Sequence, residues 1–306
     1  MQTILGAGGV IANELAKNLP AYTDKVKLVS RNPIRVNQTD ILFQGDLTNS
    51  NNVMDAVNGS SVTYLTVGLK YSIKVWRTQW PLIMKNVINA CKEHGSKLVF
   101  FDNVYMYGKV DGIMTEDTTV NPCSKKGEVR AKIADMLMDE VASGNITGLI
   151  ARAADFYGPK VSNSIPDGTI IQNFKKSKKA QLFCSDKFLH SFTYTPDAGK
   201  ATAILGNTES AYNRIWHLPT KKNPPTGKEL VEAFAKEFNV NPGYMTLNKW
   251  LIRGVGIVNP IIGELYEMLY QYDRDYIFDS SKFEKEYNFT PTSYEEGIHQ
   301  TSQAEK

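Results

Sequence analysis

The sequence is poor in cysteine, and its cysteines are not spaced to staple a small fold. Cys91, Cys123 and Cys184 are the three cysteines among 306 residues, and no two of them form a CxxC pair. An odd number of cysteines cannot all form disulfides, and disulfide frameworks belong to oxidising compartments. We therefore expect a cytoplasmic protein. The four histidines have no ligand spacing to the cysteines and form no HExxH motif, so we predict no metal site.

Long apolar runs and a strong excess of charge are also missing. No apolar run reaches the roughly 20 residues that a membrane-spanning helix needs, and residues 1–5 lack the basic and apolar regions of an export signal. The 35 Lys and Arg against 32 Asp and Glu give a formal net charge of +3. That field is too weak to favour nucleic acid or a membrane surface. We expect neither as a partner, and a small molecule as the substrate.

Alternating patterns fill the first half of the chain. Short apolar runs, which predict strands, alternate with amphipathic stretches, which predict helices. The predicted strands are 2–5, 26–30, 40–44, 62–67, 97–102 and 148–151, and one predicted helix runs from 78 to 94, where Gly95 ends it. Repeats of this kind form parallel sheets with helices on both faces and bind ligands at the carboxyl ends of the strands. The predicted fold class is therefore α/β, a Rossmann doubly wound parallel sheet.

A change of pattern after Phe156 indicates a second part of the chain. The 306 residues exceed the usual size of one hydrophobic core. Gly/Pro-rich turns and aromatic-rich segments replace the βα repeat, and 226–238 is amphipathic. We predict a nucleotide-binding domain at 1–160 and a smaller C-terminal substrate-binding lobe that covers mainly 161–306. The chain is expected to return to the first domain within 188–220.

A glycine-rich segment follows the first predicted strand directly and opens a helical pattern. In such a turn Gly6 takes the tight bend, Gly9 lets the backbone approach a pyrophosphate, and the small Ala12 lets the helix pack on the strand. The alternative is an ordinary glycine turn, but the surrounding βα repeats favour a dinucleotide site. The predicted cofactor residues here are Gly6, Gly8, Gly9, Val10 and Ile11, with Val67 and Gly68 at the end of the fourth strand.

The end of the second predicted strand indicates which dinucleotide is preferred. NAD-binding proteins usually carry an acid there, which accepts a hydrogen bond from the ribose 2′-hydroxyl. Here Ser30 and Arg31 stand in its place, and a guanidinium suits a 2′-phosphate. We predict NADP rather than NAD; the alternative is that Arg31 is a solvated loop charge. Asp46 and Leu47, after the third strand, are predicted on the adenine side, although Asp46 is equally suited to cap the next helix.

Five segments together resemble the extended short-chain dehydrogenase/reductase superfamily, and within it the NAD(P)-dependent epimerase/dehydratase group, over nearly the whole chain. They are the glycine turn at 6–12, the Asp-Leu pair at 46–47, VYMYG at 104–108, the R…FYGP segment at 152–159, and HSFTYTPD at 190–197. The resemblance implies a Rossmann fold, an NAD(P) cofactor and a family in which homodimers are common.

The catalytic chemistry of that group uses a serine, a tyrosine and a lysine, and this sequence departs from the set. The motif alignment puts Asn103 at the serine position, Lys126 at the tyrosine position and Arg130 at the lysine position. An amide can still donate to a substrate carbonyl, and a guanidinium can contact ribose hydroxyls. Lys126 is the hypothetical acid/base, a role that lysine performs near neutrality only where its surroundings favour the neutral amine. The alternative is that 126–130 is an exposed helix start.

Other side chains near predicted strand ends are further candidates. Tyr71 lies on a loop after the fourth strand and is a second hypothetical proton donor, whereas Tyr107 matches a family tyrosine that packs beside the site. The resemblance also suggests Arg152, His190 and Tyr194 as substrate residues. His217, between Trp216 and Leu218, is predicted to be packed rather than catalytic.

Two functions follow from these patterns. The first is an NADP-dependent oxidoreductase or epimerase-like enzyme that acts on a carbonyl or sugar-nucleotide substrate. The second is a non-catalytic NAD(P)-binding sensor or interaction protein, since a fold does not fix a function. The loss of the family tyrosine favours the second function, and the polar replacements at Asn103, Lys126 and Arg130 favour the first. We predict the enzyme.

Overall fold

Seven parallel strands form the central sheet of the computed structural model, which describes residues 1–162, 164–258 and 260–306. In chain order, the strands of the protein are β1 Gln2–Leu5, β2 Val26–Ser30, β3 Ile41–Gln44, β4 Val62–Leu65, β5 Lys97–Asp102, β6 Ile113–Met114, β7 Gly148–Arg152, β8 Asp155–Tyr157, β9 Ala180–Phe183, β10 Phe192–Tyr194, β11 Ile215–His217, β12 Tyr244–Leu247 and β13 Ile277–Phe278. The central sheet has the order β11-β7-β5-β4-β1-β2-β3. The predicted Rossmann sheet is confirmed.

Helices connect these strands and cover the sheet. They are α1 Val10–Asn18, α2 Ser50–Val57, α3 Ile73–His94, α4 Lys125–Ala142, α5 Gln172–Lys175, α6 Thr195–Gly206, α7 Gly227–Phe238, α8 Lys249–Val258, α9 Pro260–Tyr266, α10 Ser281–Glu286 and α11 Tyr294–Glu305. Short 3-10 turns occur at Leu19–Ala21, Tyr105–Tyr107, Glu209–Ala211 and Leu269–Gln271, and a π-helical turn at Asp167–Ile171.

Burial on both faces explains why the central strands are continuously apolar. Successive side chains of a strand point to opposite faces, so Ile4 packs with α1 and α6 on one face, while Leu5 packs with α2, α3 and α4 on the other. Parallel strands buried on both sides need no polar alternation. The strand order reverses between β1 and β4, and ligands of such sheets bind at this reversal.

Some predicted boundaries are wrong by small amounts, and one helix start is wrong by more. Strands β3, β4 and β7 differ from prediction by one or two residues at one end. Helix α3 begins at Ile73 and contains Pro81, whereas the helical pattern was expected from 78. Trp76 and Trp80 lie one turn apart and are both buried in the core, so their packing extends the helix past the weak local signal. Both tryptophans pack as core residues.

The second half of the chain builds on both parts of the fold. Strand β11 pairs with β7 of the central sheet, and α6 packs against α1, so 195–217 belongs to the sheet. A separate apolar core contains Phe174, Phe192 and Phe234. Helix α7 frames this core and starts with a capping box between Thr226 and Glu229. Three separate two-stranded parallel sheets complete the fold: β8 with β10, β9 with β12 and β6 with β13.

Candidate functional site

The glycine turn lies at the carboxyl end of β1, where the strand order reverses. Gly6 has φ 104° and Gly8 has φ 96°, a region that side chains rarely adopt. A Cβ on Gly6 would lie 2.4 Å from the Cα of Val67, so only glycine lets the two strand ends approach. Around Gly8, in contrast, a Cβ would meet nothing within 4 Å. The outer side of the turn is open.

Helix α1 starts from this turn with free donors. Gly9 is the N-cap residue, and no side chain caps the helix. The first backbone N–H groups of an α-helix have no partner within the helix, and they carry the positive end of its dipole. Gly8 and Gly9 are exposed, and Val10 and Ile11 are half-buried. The turn therefore offers an open cradle of N–H groups that fits a pyrophosphate.

The part of the site that is predicted to hold the ribose and adenine carries one exposed cation and one exposed acid. Ser30 is half-buried at the end of β2, and the side chain of Arg31 extends into solvent. The Asp46 carboxylate accepts hydrogen bonds from the Thr48 backbone and hydroxyl, each at 2.8 Å, and the backbone bond above all lowers the pKa of Asp46. Asp46 does not cap α2, because that cap is Asn49; it closes the turn before it.

The two neighbouring cofactor candidates differ in exposure. Leu47 is buried and packs in the core beneath the predicted adenine side. Val67 is half-buried against Gly6, and Gly68 is exposed next to it. Gly6 and Val67 thus line the point of strand reversal from β1 and from β4.

Lys126 stands in the first turn of α4 and is fully buried. Its Nζ donates to the Glu264 carboxylate at 2.5 Å, to the Glu264 carbonyl at 2.9 Å and to the Glu267 carboxylate at 2.9 Å. The Tyr71 ring lies 4.5 Å from Nζ on another side. The alternative of an exposed helix start is wrong for this residue. Three acceptors use all three protons of the ammonium group.

The same two glutamates contact the start of two helices. The Glu264 carboxylate accepts from the backbone N–H of Ile73, the first residue of α3, at 3.0 and 3.1 Å. The Glu267 carboxylate accepts from the N–H of Lys125, the first residue of α4, at 2.9 Å. A carboxylate at a helix N-terminus is stabilised by the helix dipole. Sequence patterns did not reveal either residue, because both lie in the C-terminal lobe.

Arg130 belongs to a buried ion cluster. Its guanidinium donates to Asp102 through Nε at 2.8 Å and through Nη2, and it stacks over Trp80 and Phe100. Arg152 donates to the other oxygen of Asp102 at 3.1 Å. One carboxylate at the end of β5 thus holds both cations, and burial without that partner would be costly.

Arg152 is enclosed by side chains of the fold, and its role as a substrate residue stays a prediction. Its side chain is 1% exposed and donates to the Tyr107 hydroxyl at 2.8 Å, which in turn bonds to His217 Nε2 at 2.8 Å. Burial lowers the pKa of His217 to about 3, so this ring is neutral and packed, as the sequence predicts. Tyr107 likewise packs inside the fold.

Asn103 and Tyr71 are half-buried polar candidates. The Asn103 side-chain oxygen accepts from the Tyr105 backbone at 3.1 Å, and its Nδ2 has no partner among the described residues. Burial raises the pKa of the Tyr71 and Tyr105 phenols. Asn103 is therefore a free amide donor, and Tyr71 keeps its proton.

A second polar cluster lies beside β8 and was only partly anticipated. His190 contacts the Asp155 carboxylate through Nε2 at 2.9 Å and the Gln271 carbonyl through Nδ1 at 3.1 Å. Tyr272 donates to the same Asp155 oxygen at 2.6 Å and stacks on the His190 ring. Tyr194, in contrast, is buried and donates to Gln300 at 2.5 Å, and its role as a substrate residue stays a prediction.

A mostly apolar pocket opens next to this cluster. His190, Tyr272 and the half-buried Arg274 are among its lining residues, and Arg274 also pairs with Asp111 and Asp273. The apolar part of the wall includes Ile165, Pro166, Phe183, Phe188 and Leu230. A pocket of this composition suits a flat, partly apolar group with an anionic extension.

Neither a membrane-spanning helix nor a cluster of metal ligands occurs within the described residues. No helix in the described ranges is long and apolar enough to cross a bilayer. Over the same residues, no three His, Cys, Asp or Glu side chains come together as a metal site would require.

Comparisons with known proteins agree with this geometry. Residues 3–216 match the NAD dependent epimerase/dehydratase family. The chain is 26% identical to the uncharacterized UDP-glucose epimerase YtcB of Bacillus subtilis over 125 residues, which are 40% of this chain and 40% of that protein. The matched region thus spans two fifths of the relative.

Solved structures share the fold over nearly the whole chain. The UDP-glucuronic acid 4-epimerase of Bacillus cereus, in complex with UDP-glucuronic acid and NAD, superposes with a TM-score of 0.82 at 16% identity, covering 99% of both chains. The UDP-glucose 4-epimerase of Thermus thermophilus, in complex with NAD, gives 0.79 at 18% identity, covering 100% of this chain and 99% of that one. At such identities the likeness concerns the fold alone.

Proposed function

The chain belongs to the NAD dependent epimerase/dehydratase family, and from this membership we propose that it is a nicotinamide-dinucleotide-dependent enzyme acting on a sugar nucleotide. The family expected from the five sequence segments is thereby confirmed. The observation that carries the proposal is the open glycine turn at Gly6, Gly8 and Gly9, which leads into an uncapped helix. Its N–H groups would hold the pyrophosphate.

The choice of dinucleotide rests on few residues. The structural neighbours named above contain NAD, and the NADP preference predicted from the sequence rests on Ser30 and Arg31 alone. We therefore take NAD as the better-supported cofactor for this chain. NADP is the alternative that the exposed guanidinium of Arg31 supports, and a parallel titration with both dinucleotides separates the two.

The substrate class follows from the second pocket. The B. cereus neighbour is in complex with a UDP-sugar, and the apolar pocket beside Asp155 and His190 offers this chain a place for a base. Arg274, a lining residue of the pocket, would pair with the diphosphate. The sugar would then extend toward Asn103 at the carboxyl end of β5.

The proposed catalytic set keeps the roles assigned from the sequence. When bound, a nicotinamide supplies or accepts a hydride. Asn103 would donate a hydrogen bond from Nδ2 to a sugar carbonyl, and Lys126 would give its proton to that oxygen as the carbon receives the hydride. Tyr71, whose phenol keeps its proton, is the alternative donor. The contact of Arg130 with ribose stays a prediction, and its bond to Asp102 would position the neighbouring Asn103.

One observation favours the second candidate function, a non-catalytic dinucleotide-binding protein. All three protons of Lys126 are held by Glu264 and Glu267, so the amine has none left for a substrate in this conformation. A chain that lost its chemistry but kept its cofactor would show the same contacts.

Turnover distinguishes the two functions. The protein, loaded with NAD, is incubated separately with UDP-glucose and UDP-glucuronic acid, and the products are separated by chromatography. An epimerised or dehydrated product that disappears in Asn103→Leu supports the enzyme. Dinucleotide binding without any change of either sugar nucleotide, or of a wider set of nucleotide sugars and carbonyl compounds, supports the non-catalytic alternative.

A further inference from the structure

We propose that residues 260–267 are a lid, latched shut by Glu264 and Glu267 on Lys126, and that Lys126 becomes available to a ligand only when this lid opens. The inference rests on the proposed function in one respect, the place of Lys126 in the active site. The latch itself is a property of the chain and can be measured without cofactor or substrate.

The position of the lid follows from its contacts. Glu264 bonds to the N–H of Ile73 at the start of α3, a helix that follows β4. Glu267 bonds to the N–H of Lys125 at the start of α4, which follows β5. Both helices start on the side of the carboxyl ends of these strands, where ligands of this sheet bind. The lid therefore covers the substrate end of the cleft.

Polar contacts of its two glutamates connect the lid to the body. Each glutamate carboxylate accepts from Lys126 and from a helix N-terminus, and Leu265 adds partial apolar packing. The two carboxylates are about one fifth exposed, so water reaches them as soon as they separate from the ammonium. Lys126, buried at 0%, is reached by solvent only after the glutamates have moved.

The packing around the lid permits it to move as a unit. Helix α9 packs mainly against α8, and the two backbones approach closely where a Cβ on Gly256 would lie 3.0 Å from the Cα of Gly263. Helix α8 is itself at the surface, with Trp250 77% exposed. Active-site lids belong to the parts of a protein that open locally at low free energy.

Opening changes what Lys126 can do. In the closed state its three N–H groups are satisfied within the chain, which excludes hydrogen bonding to any other group. Release of Glu264 and Glu267 leaves an ammonium at the place of the family tyrosine. The latch thus decides whether the proposed proton donor is masked or active.

The first test measures the reactivity of the Lys126 amine in the wild-type protein. The full chain is treated briefly with acetic anhydride, and acetylation of each lysine is followed by mass spectrometry. Lys125, the exposed neighbour, is the internal reference. The latch predicts that Lys126 reacts at least tenfold more slowly than Lys125. Equal rates would overturn the proposal, because the amine would then be open.

The second test removes the charge of the latch and keeps its shape. Hydrogen–deuterium exchange of 260–267 is compared between wild type and Glu264→Gln/Glu267→Gln, with Glu128→Gln as control, since Glu128 is an exposed residue of the same first turn of α4. We expect exchange at least tenfold faster in 260–267 of the double variant and unchanged exchange in β5, together with faster acetylation of Lys126.

The remaining outcomes of the second test all count against the lid. Unchanged exchange in 260–267 means that the bridges hold nothing in place. Loss of protection throughout the chain means that the bridges support the whole fold and not a local latch. Both measurements are made without dinucleotide, so a protein that binds no dinucleotide refutes the proposed function and leaves the latch standing.

Discussion

The Nζ of Lys126 lies 2.5 Å from a carboxylate oxygen of Glu264, across 138 residues of sequence. This contact joins the Rossmann half of the chain to its C-terminal lobe, at the position that the motif alignment predicts for the family's catalytic tyrosine. A lysine with its protons bound by two glutamates is a different chemical group from a phenol beside a lysine. The Lys126–Glu264 contact thus connects the proposed catalytic residues to the proposed lid.

The glycine turn predicts a difference between two alanine substitutions. Gly6→Ala would bring a Cβ to 2.4 Å from the Val67 backbone at a positive φ, whereas Gly8→Ala has a similar φ but open space. We expect Gly6→Ala to lower the free energy of unfolding by at least about 1 kcal/mol more than Gly8→Ala. Urea denaturation measures both values. Equal losses would mean that the approach to Val67 is not what requires glycine.

Removal of the Asp102 charge is expected to cause a large loss of stability. Asp102→Asn leaves the buried guanidinium groups of Arg130 and Arg152 without their carboxylate, and we expect a loss of about 3–5 kcal/mol. The control is Glu128→Gln, which breaks an exposed pair with Arg77 at 3.7 Å and should cost under about 1 kcal/mol. Chemical denaturation compares them. Similar small losses for both variants would show that Asp102 does not hold the cluster.

Substitution of Arg31 tests the dinucleotide preference. If its guanidinium contacts a 2′-phosphate, Arg31→Ala weakens NADPH binding by about tenfold, which corresponds to about 1.4 kcal/mol, and leaves NADH binding unchanged. Arg35→Ala is the matched control, because Arg35 is an exposed arginine of the same loop. Fluorescence titration of the wild type and both variants gives the six dissociation constants. An equal effect on both dinucleotides, or none, would remove the argument for NADP.

The lowered pKa of His217 is expected to make the stability of the fold depend on pH. Its pKa is about 3 in the folded chain, lowered from 6.5 by burial, so below pH 6.5 the unfolded chain binds a proton that the folded chain does not. Stability is therefore lost as the pH falls from 6.5 toward 3, with a slope of up to about 1.4 kcal/mol per pH unit. His217→Gln should flatten this slope between pH 6 and about 4, as followed by urea denaturation. The exposed His299→Gln should not, and a slope unaltered in His217→Gln would contradict the assignment.

The sequence predicted most of the fold because the signals of a parallel sheet are local. Continuous apolar runs, helix-ending glycines such as Gly95 and the amphipathic pattern at 226–238 are recognised within a few positions. Helix α3 began earlier than predicted, since the burial of Trp76 is a tertiary effect that no local pattern carries. The family and its Rossmann sheet were thus within reach of sequence reasoning.

Sequence motifs supplied candidates for the site mainly on its Rossmann side. Motifs led to Asn103 and Lys126, but the partners of Lys126 are far along the chain. Glu264 stands in a segment without any motif, and nothing in the sequence indicates that it would reach Lys126 and the start of α3. The surroundings of Arg152 were missed for a similar reason, because the sequence does not show that Asp102 and Tyr107 enclose its guanidinium.

The central claim, a nicotinamide dinucleotide held by the glycine turn, is tested most directly by fluorescence titration of the purified protein with NADH, and with NADPH in the same salt. Gly9→Asp, which adds an acid where the pyrophosphate would approach α1, is titrated beside it. We predict saturable binding of at least one dinucleotide to the wild type and a loss of at least tenfold in affinity in the folded variant. No binding of either dinucleotide to the wild type, or equal binding to Gly9→Asp, would contradict the account.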